Sequence, residues 1–398
     1  MKLRSIREVK DLKGKRVLVR VDFNVPIKDG KVTNDARIRV SLPTIEFLLK
    51  EKAKVIILTH LGRPKGKVDE KLRLNPVAKK LEELLKVSVK KLDDCVGGGV
   101  AAEIEKMQEG EVILLENTRF HSAEKENERN FVRQIASLGD VFTNDAFGVA
   151  HRKHASNFGV AEKLPAYAGL SLIREVEALS RILEEPQKPL VLVLGGAKID
   201  TKIGVLKKFS QIADTILLGG GLANTFLAAE GFEVGASLCE KEKLEIAKEI
   251  LVEANQNDCK FVLPSDAVCL DASEEISKNS QTTTFLTSAI PVSMKILDIG
   301  AKSIQQFSEI IQKAKIVVWN GPVGLFEFAS FEAGSKKIAS ACAQTSAVTI
   351  LGGGDTIAAL EKFKISFQKF THVSTGGGAM LEFLEGKKMP AIETLQKN

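Results

Sequence analysis

The chain predicts an α/β fold of two doubly wound, Rossmann-like parallel-sheet domains joined by a helix, with a cleft between them. Three observations lead there. Apolar strands alternate with amphipathic helices from Arg16 almost to the end of the chain. All fourteen arginines precede Ile182, and the later part of the chain has none. That later part instead carries three Gly-Gly-Gly triplets, each behind an apolar strand. Guanidinium forks suit bidentate recognition of carboxylate and phosphate, whereas glycine loops let backbone N–H groups approach phosphate at a helix N-terminus. Two lobes binding two different anionic ligands are therefore expected.

A length of 398 residues exceeds one ordinary core and calls for two domains. With 44% hydrophobic and 27% charged residues, the composition is that of a globular protein and excludes a disordered one. A net charge of +6 is modest for this length and favours small acidic ligands over nucleic acid. Cys95, Cys239, Cys259, Cys269 and Cys342 form no C-x-x-C pair and no zinc-ligand spacing, so they read as reduced thiols. The opening MKLRSIREVKDLKGKR has no apolar signal core, and no run approaches 18 apolar residues. The expectation is a cytoplasmic monomer whose partners are small molecules, with no nucleic acid and no membrane.

In chain order, RVLVRVDF, KVIILTH, EVILLEN and DVFTNDAF read as strands, with helices near Ala36–Glu51, Pro76–Lys86 and Glu124–Leu138. The segment AGLSLIREVEALSRILEEPQKP is helical in period and is closed by Pro186 and Pro189. PLVLVL, DTILL, KFVLPSDAVCL, KIVVWN, AVTIL and THVST follow as the strands of the second half. The expected division is residues 1–170 for the first domain, 171–185 for the joining helix, 186–375 for the second domain, and 376–398 for a helix and tail returning toward the first. Few backbone links can join such lobes, so the helix near 171–183 and the strand end at Ser374–Thr375 are the expected hinges.

Ligands of open parallel sheets bind beyond the carboxyl ends of the strands. In the first half those ends carry Asp22, Phe23 and Asn24, then His60, Leu61, Gly62 and Arg63, then Arg119 and His121, then Asn144, Asp145, His151, Arg152 and His154. Arg37 opens the first long helix behind Asn34 and Asp35, which can cap it. One such arginine is more often a surface ion pair than a ligand. Four on one rim, without interleaved aromatics, suit a small dianion rather than a stacked nucleic-acid strand. No H-E-x-x-H or His-Cys cluster is legible, which argues against a metal role for the histidines.

In the second half GGAKIDTKIGVLKKF places Lys198 and Lys202 four apart, on one face near a helix N-terminus. The usual G-x-x-x-x-G-K-[ST] loop is absent. LLGGGLANTFL, TILGGGDTIAAL and VSTGGGAMLEF each put a triplet at a strand-to-helix junction, and together with GGAK they point to a nucleotide pocket. Asp355 of GGGDT can hold Mg²⁺ on phosphates or can serve as an N-cap. Gly97-x-Gly99-x-x-Ala102 matches a dinucleotide fingerprint, but KKLDDCV before it is a poor buried strand and no acidic residue follows a second strand at the needed spacing. A nicotinamide dehydrogenase is thereby disfavoured. No hydroxyl-kinase base loop is present, and a carboxylate acceptor, already ionised at neutral pH, needs no base.

RVDFNVP, NDARIR, HLGRP, ENTRFH, NDAFGVAHRKHAS, GGAKIDTKI, GGGLANTFL, WNGPVGLFE, GGGDT and VSTGGGA together resemble phosphoglycerate kinase, in that family's order and over nearly the whole chain. The resemblance implies a phosphotransferase with a carboxyl acceptor, moving phosphate between 1,3-bisphosphoglycerate and ADP in glycolysis and gluconeogenesis by direct in-line transfer with domain closure. It implies that Asp22, Asn24, Arg37, His60, Arg63, Arg119 and Arg152, with the flanking Phe23, Leu61 and Gly62, bind 3-phosphoglycerate. Arg37 would reach the transferring group. Lys198 and Lys202 would bind nucleotide phosphates and the moving phosphoryl, Asp355 would hold Mg²⁺, and Gly353, Gly354 and Thr356 would line the phosphate loop. Asn320, Glu327 and Gly300 resemble nucleotide contacts, and Gly376, Gly377 and Gly378 would present amides to transition-state charge. Ala301 stands where the family's pattern has proline, beside Gly300. A nucleotide-binding protein without activity would not require Arg37 and Lys202, and both are present.

Overall fold

A computed structural model of the chain describes residues 1–184, 186–277 and 279–397. Glu185 of the expected joining segment, Lys278 and Asn398 lie outside the described residues. The chain divides into two compact units, Met1–Glu177 with Lys388–Asn398, and Ala178–Lys387.

In the first unit β1 (Arg16–Arg20) leads to a short hairpin, β2 (Ile27–Lys28) and β3 (Lys31–Val32), and then to α1 (Ala36–Lys50). The pattern continues through β4 (Lys54–Leu58), α2 (Asn75–Leu85), β5 (Val89–Lys91), α3 (Gly98–Glu105) and β6 (Val112–Leu114). After α4 (Ala123–Glu126) and α5 (Arg129–Ala136) come β7 (Val141–Asn144), β8 (Ala166–Ala168) and α6 (Leu170–Glu184). The sheet order is β5-β6-β4-β1-β7-β8, parallel throughout. The central strands are apolar on both faces, as helix-covered parallel strands must be, and Val17, Val19, Val55 and Ile57 pack with Ile38, Ile45 and Leu81 in one core. Arg20 pairs in register with both Leu58 and Asn144, so the residues after β1, β4 and β7 emerge side by side at one sheet edge.

The helix expected over Glu124–Leu138 is two helices. Asn127 turns left-handed (φ 51°), and Glu128 is an extended N-cap whose carboxylate accepts from Asn130 N and Phe131 N. A strand does precede Gly97. It is β5, a three-residue edge in which only Val89 is buried, so the dinucleotide fingerprint still lacks its central strand.

The second unit contains β9 (Leu190–Leu194), α7 (Ile203–Ser210), β10 (Thr215–Leu218), α8 (Gly220–Ala229), α9 (Leu244–Gln256) and β11 (Lys260–Val262). It continues with β12 (Asp266–Asp271), β13 (Thr283–Leu286), β14 (Met294–Ile299), α10 (Ala301–Lys313), β15 (Ile316–Asn320) and α11 (Ala333–Gln344). The last elements are β16 (Val348–Gly352), α12 (Gly354–Lys362), β17 (His372–Ser374) and α13 (Gly378–Leu384), with α14 (Pro390–Glu393) in the first unit. The main sheet runs β11-β10-β9-β15-β16-β17. Leu194 pairs with Leu218 and Asn320, Asn320 with Gly352, and Gly352 with Ser374, which brings every glycine junction to one edge.

KFVLPSDAVCL, expected as one strand, is two. β11 belongs to the main sheet, whereas β12 crosses into an antiparallel sheet β13-β12-β14 that the βα rhythm does not predict. Pro264 lies between them and has no N–H with which to continue a ladder. The expected tail of 376–398 is also divided. Met380, Phe383 and Leu384 bury α13 in the second unit, where it packs on α7, and the chain joins the first unit from Lys388. There Arg4 N donates to Leu395 O at 2.8 Å and Ala391 N to Ala150 O at 3.1 Å.

Candidate active site

The edge of the first unit is strongly basic. His60 is buried, and its pKa lies well below the usual imidazole value because of burial first and then the charges of Arg20, Arg119, Arg37 and Arg152. Arg37, Arg119 and Arg152, expected on one rim, are near enough for their charges to act on His60: Arg37 pairs with Asp22, which is 3.9 Å from His60 Nδ1, and Arg119 reaches Gly62 two residues on. Arg119 is itself pushed down to about 10 by burial, Arg20 and Arg152. Its Nη1 donates to Gly62 O at 2.9 Å, and its buried Nε has no hydrogen-bond partner among the described residues. A guanidinium left partly unsatisfied among like charges is arranged for an anion that is not part of the chain.

Arg37 donates to Asp22 Oδ2 at 3.3 Å and to Asn24 O at 3.1 Å, and Asn24 Oδ1 accepts from Gly62 N at 2.9 Å. The partly exposed Asp22–Arg37 pair stabilises little, about 0–1 kcal/mol, so it orients Arg37 more than it holds the fold together. Arg152 Nε meets His151 Nε2 at 2.9 Å. Arg63 is exposed, and no hydrogen bond or ion pair engages it among the described residues. Phe23 and Leu61, expected beside the ligand, are core residues, so only their backbone is available at the edge.

Three residues that sequence reasoning passed over hold this edge together. Asn117 Oδ1 accepts from Leu61 N at 3.1 Å and its Nδ2 donates to Leu61 O at 2.8 Å, which fixes the loop after β4. Arg20 and Glu124 are fully buried charges. The signal for Arg20 was available: an arginine inside the apolar run RVLVR has to find buried partners. The fold also assembles Asp94, Cys95 and His121, with ligand atoms all within 4.8 Å, a His-Cys grouping that spacing does not reveal. His121 Nε2 is already 2.7 Å from Asp94 Oδ1, and burial pushes the Cys95 thiol well up, so the group is a His–Asp hydrogen bond beside a protonated thiol.

In the second unit Gly196, Gly220, Gly221, Leu238, Pro322 and Glu327, with Asp355, border a cavity of about 210 Å³. Gly195 is what lets two loops meet there, since a Cβ would stand 1.9 Å from Pro322 O. Lys202 is buried and its Nζ donates to Asn320 Oδ1. Burial lowers its pKa to about 8, against a smaller raising effect of Asp355. Lys198 and Lys202 do not share a helix face: α7 begins only at Ile203, Lys202 is its N-cap, and Lys198 is exposed in the turn before it. Buried Ile199 anchors that turn by accepting from Lys202 N at 2.7 Å.

Asp355 is not the N-cap of α12. Gly353, at φ 103°, takes that place and leaves the exposed Asp355 carboxylate in the first turn, with no hydrogen bond among the described residues. An exposed carboxylate beside Lys202 and the cavity fits a hard cation that takes its remaining ligands from phosphates and water. Thr356 is buried and its Oγ1 accepts from Gly321 N at 2.7 Å, so it holds a loop rather than lining a surface. Asn320 likewise turns inward, donating to Gly352 O at 2.8 Å. Gly300 does not border the cavity. Its Cβ position would lie 2.2 Å from the Asp266 carboxylate, which itself caps α10 through Lys302 N and Ser303 N. Gly354 starts α12, and Gly377 precedes α13, which starts at Gly378. Gly376 N donates to Ser374 Oγ at 3.2 Å.

Two parallel α/β units, one with an edge of buried and semi-buried guanidiniums and the other with a glycine-bordered cavity and a buried lysine, define a phosphotransferase of the kinase class. The chain matches the family described as phosphoglycerate kinase over residues 6–387, and it belongs to that family. It is 47% identical to phosphoglycerate kinase of Pelotomaculum thermopropionicum over 395 residues, covering 99% of each chain. It is 50% identical to that of Dictyoglomus turgidum over 387 residues, covering 97% of this chain and 96% of the relative. Among solved structures, phosphoglycerate kinase from Coxiella burnetii matches with a TM-score of 0.88 at 42% identity, over 99% of this chain and 98% of that one. The Pyrococcus horikoshii enzyme matches with a TM-score of 0.87 at 33% identity over the same shares.

Proposed function

We propose that the chain catalyses reversible phosphoryl transfer between 1,3-bisphosphoglycerate and ADP, giving 3-phosphoglycerate and ATP. The observation that carries this reading is the basic edge around buried His60, where Arg37 is held by Asp22 and Arg119 by Gly62 O with its Nε unpartnered among the described residues, a site for a small polyanion. Arg63, exposed and unengaged among the described residues, adds a further cation for the same ligand. The acid's carboxylate is ionised at neutral pH, so the acceptor needs no general base, and positioning with electrostatics is the whole task. In the second lobe Lys202 supplies charge to the phosphoryl in transit, and the glycine junctions supply backbone amides. Asp355 would hold Mg²⁺, which when bound with the nucleotide neutralises charge on its phosphates. Asn320 and Thr356, expected as nucleotide contacts, have indirect roles: Asn320 sets Lys202, and Thr356 sets the loop at Gly321.

In-line transfer brings the two substrates together with water excluded, so the lobes close on binding, with hinges in α6 and at Lys387–Lys388, where the chain passes between the units; the expected hinge at Ser374–Thr375 lies within the second unit. The enzyme acts as a cytoplasmic monomer. Among the described residues no helix is long and apolar enough to cross a membrane. A coupled assay with 3-phosphoglycerate and Mg-ATP tests the reading. ADP should form only with the acid present, and EDTA should abolish turnover. ATP consumption that is indifferent to 3-phosphoglycerate would overturn it.

A further inference from the structure

The buried charges behind the basic edge form a chain with a fixed direction. Glu124, fully buried, accepts from Ser156 Oγ at 2.6 Å through Oε1 and from Ser156 N at 3.0 Å through Oε2. The Ser156 hydroxyl proton is therefore committed to Glu124, which leaves its oxygen to accept from Arg20 Nε at 2.8 Å. Arg20, 1% exposed, sends Nη1 to Val21 O and brings Nη2 to His60 Nδ1 at 3.2 Å. A guanidinium can only donate, so His60 Nδ1 must accept and the ring proton must sit on Nε2. Among the described residues no hydrogen bond engages Nε2.

We infer that Glu124 and Ser156 are positioning residues that aim Arg20 so that it holds His60 as the neutral Nε2–H tautomer, a donor ready for the anionic substrate. Asp22 Oδ1, 3.9 Å from Nδ1, is too far to claim a proton there, so Arg20 alone sets the tautomer. The charged groups around the ring are Arg20, Arg37, Arg119 and Arg152, against which Asp22 is the near carboxylate. They keep the ring neutral, and Arg20 decides which neutral form it takes. The arrangement has a cost: a buried guanidinium without its carboxylate is destabilising by several kcal/mol. Glu124 offsets it from behind Ser156 and so leaves Nη2 free to face the ring. The inference rests on the reading that His60 binds 3-phosphoglycerate, but the tautomer can be measured without substrate.

Long-range ¹H–¹⁵N correlation spectra of the ligand-free protein, ¹⁵N-labelled at histidine and assigned with His60→Gln, give the ring state directly. The expected result is Nε2–H with unprotonated Nδ1 from pH 6 to 8. Ser156→Ala, a small change that keeps the backbone N–H to Glu124, should give mixed tautomers and a dissociation constant for 3-phosphoglycerate raised about 3- to 10-fold, with the affinity for Mg-ADP unchanged. Glu124→Gln should move both readouts further in the same direction. A wild-type Nδ1–H form or an imidazolium at pH 6 would overturn the inference, as would a Ser156→Ala protein with wild-type tautomer and affinity. A wild-type protein that does not bind 3-phosphoglycerate at all would instead overturn the functional reading.

Discussion

Lys202 Nζ donates to Asn320 Oδ1, and Asn320 Nδ2 passes on to Gly352 O at 2.8 Å, so the buried ammonium is tied to the carboxyl ends of two neighbouring strands. The tether places the charge, and burial makes that charge costly. With its pKa lowered to about 8, the amine is charged below that pH and neutral above it. A bound phosphate favours the charged form. The ¹³Cε resonance of Lys202 should therefore titrate near pH 8 in the free protein and move up by about one unit or more when Mg-ADP saturates the site. Because kcat/KM follows the free enzyme, its value for the nucleotide should fall as pH rises through about 8. An unshifted titration midpoint on nucleotide binding would show that Lys202 does not meet phosphate.

Arg63 and Lys202 should fail differently. Arg63 is exposed at the surface; if it holds the acid's ground state as proposed, Arg63→Ala should raise the KM for 3-phosphoglycerate about 10-fold with little change in kcat. Lys202→Ala removes charge that matters most in transit, and kcat should drop on the order of 10²-fold or more. Steady-state kinetics with both substrates varied separates the two. Equal KM effects with unchanged kcat in both variants would contradict the division.

Asp145 follows β7 and accepts from Ser171 N at 2.9 Å and Leu172 N at 3.0 Å, which caps α6. Burial raises its pKa to about 7, against the lowering effect of those bonds. A raised folded-state value means that the folded form holds its proton longer than the unfolded chain does. The stabilisation from this group is complete below about pH 4 and is lost as pH rises to about 7. Asp145→Asn keeps an acceptor for both N–H groups and cannot ionise. Relative to the wild type it should gain on the order of 3 kcal/mol between pH 4 and 7, measured as the pH dependence of urea unfolding of the first-unit transition. Parallel pH profiles would show that Asp145 ionises normally.

Gly195→Ala should damage the second unit, because the new methyl would lie 1.9 Å from a backbone oxygen that cannot swing away. The expected loss is about 3 kcal/mol or more, together with weakened nucleotide binding, since Gly196 beside it borders the cavity. Gly354→Ala, where a Cβ meets nothing within 4 Å, is the control and should unfold like the wild type. Calorimetry of unfolding and of Mg-ADP binding checks both variants.

Much of this protein is legible in one dimension. Period-two and period-3.6 patterning predicts two parallel α/β sheets because a buried strand must be apolar on both faces and its crossover helix on one. Residues of the basic edge are legible where they follow strands closely, since the chain itself carries them to the sheet edge; His60 and Arg119 are of this kind. What sequence periodicity does not carry is the partnering of groups far apart in the chain. Arg20 and Ser156 are 136 residues apart, and Lys202 and Asn320 118 apart, yet each pair decides how a charge is aimed. Local spacing also misjudges where α7 begins, because the Gly195–Pro322 approach and the bond from Ile199 N to the Glu240 carboxylate fix the turn before Lys202 through residues far along the chain. Asn320 and Thr356 lie where nucleotide contacts were expected, and tertiary structure turns them inward. Each is buried, and a buried polar group has to hydrogen-bond whatever lies within reach, which here is Gly352, Lys202 and Gly321.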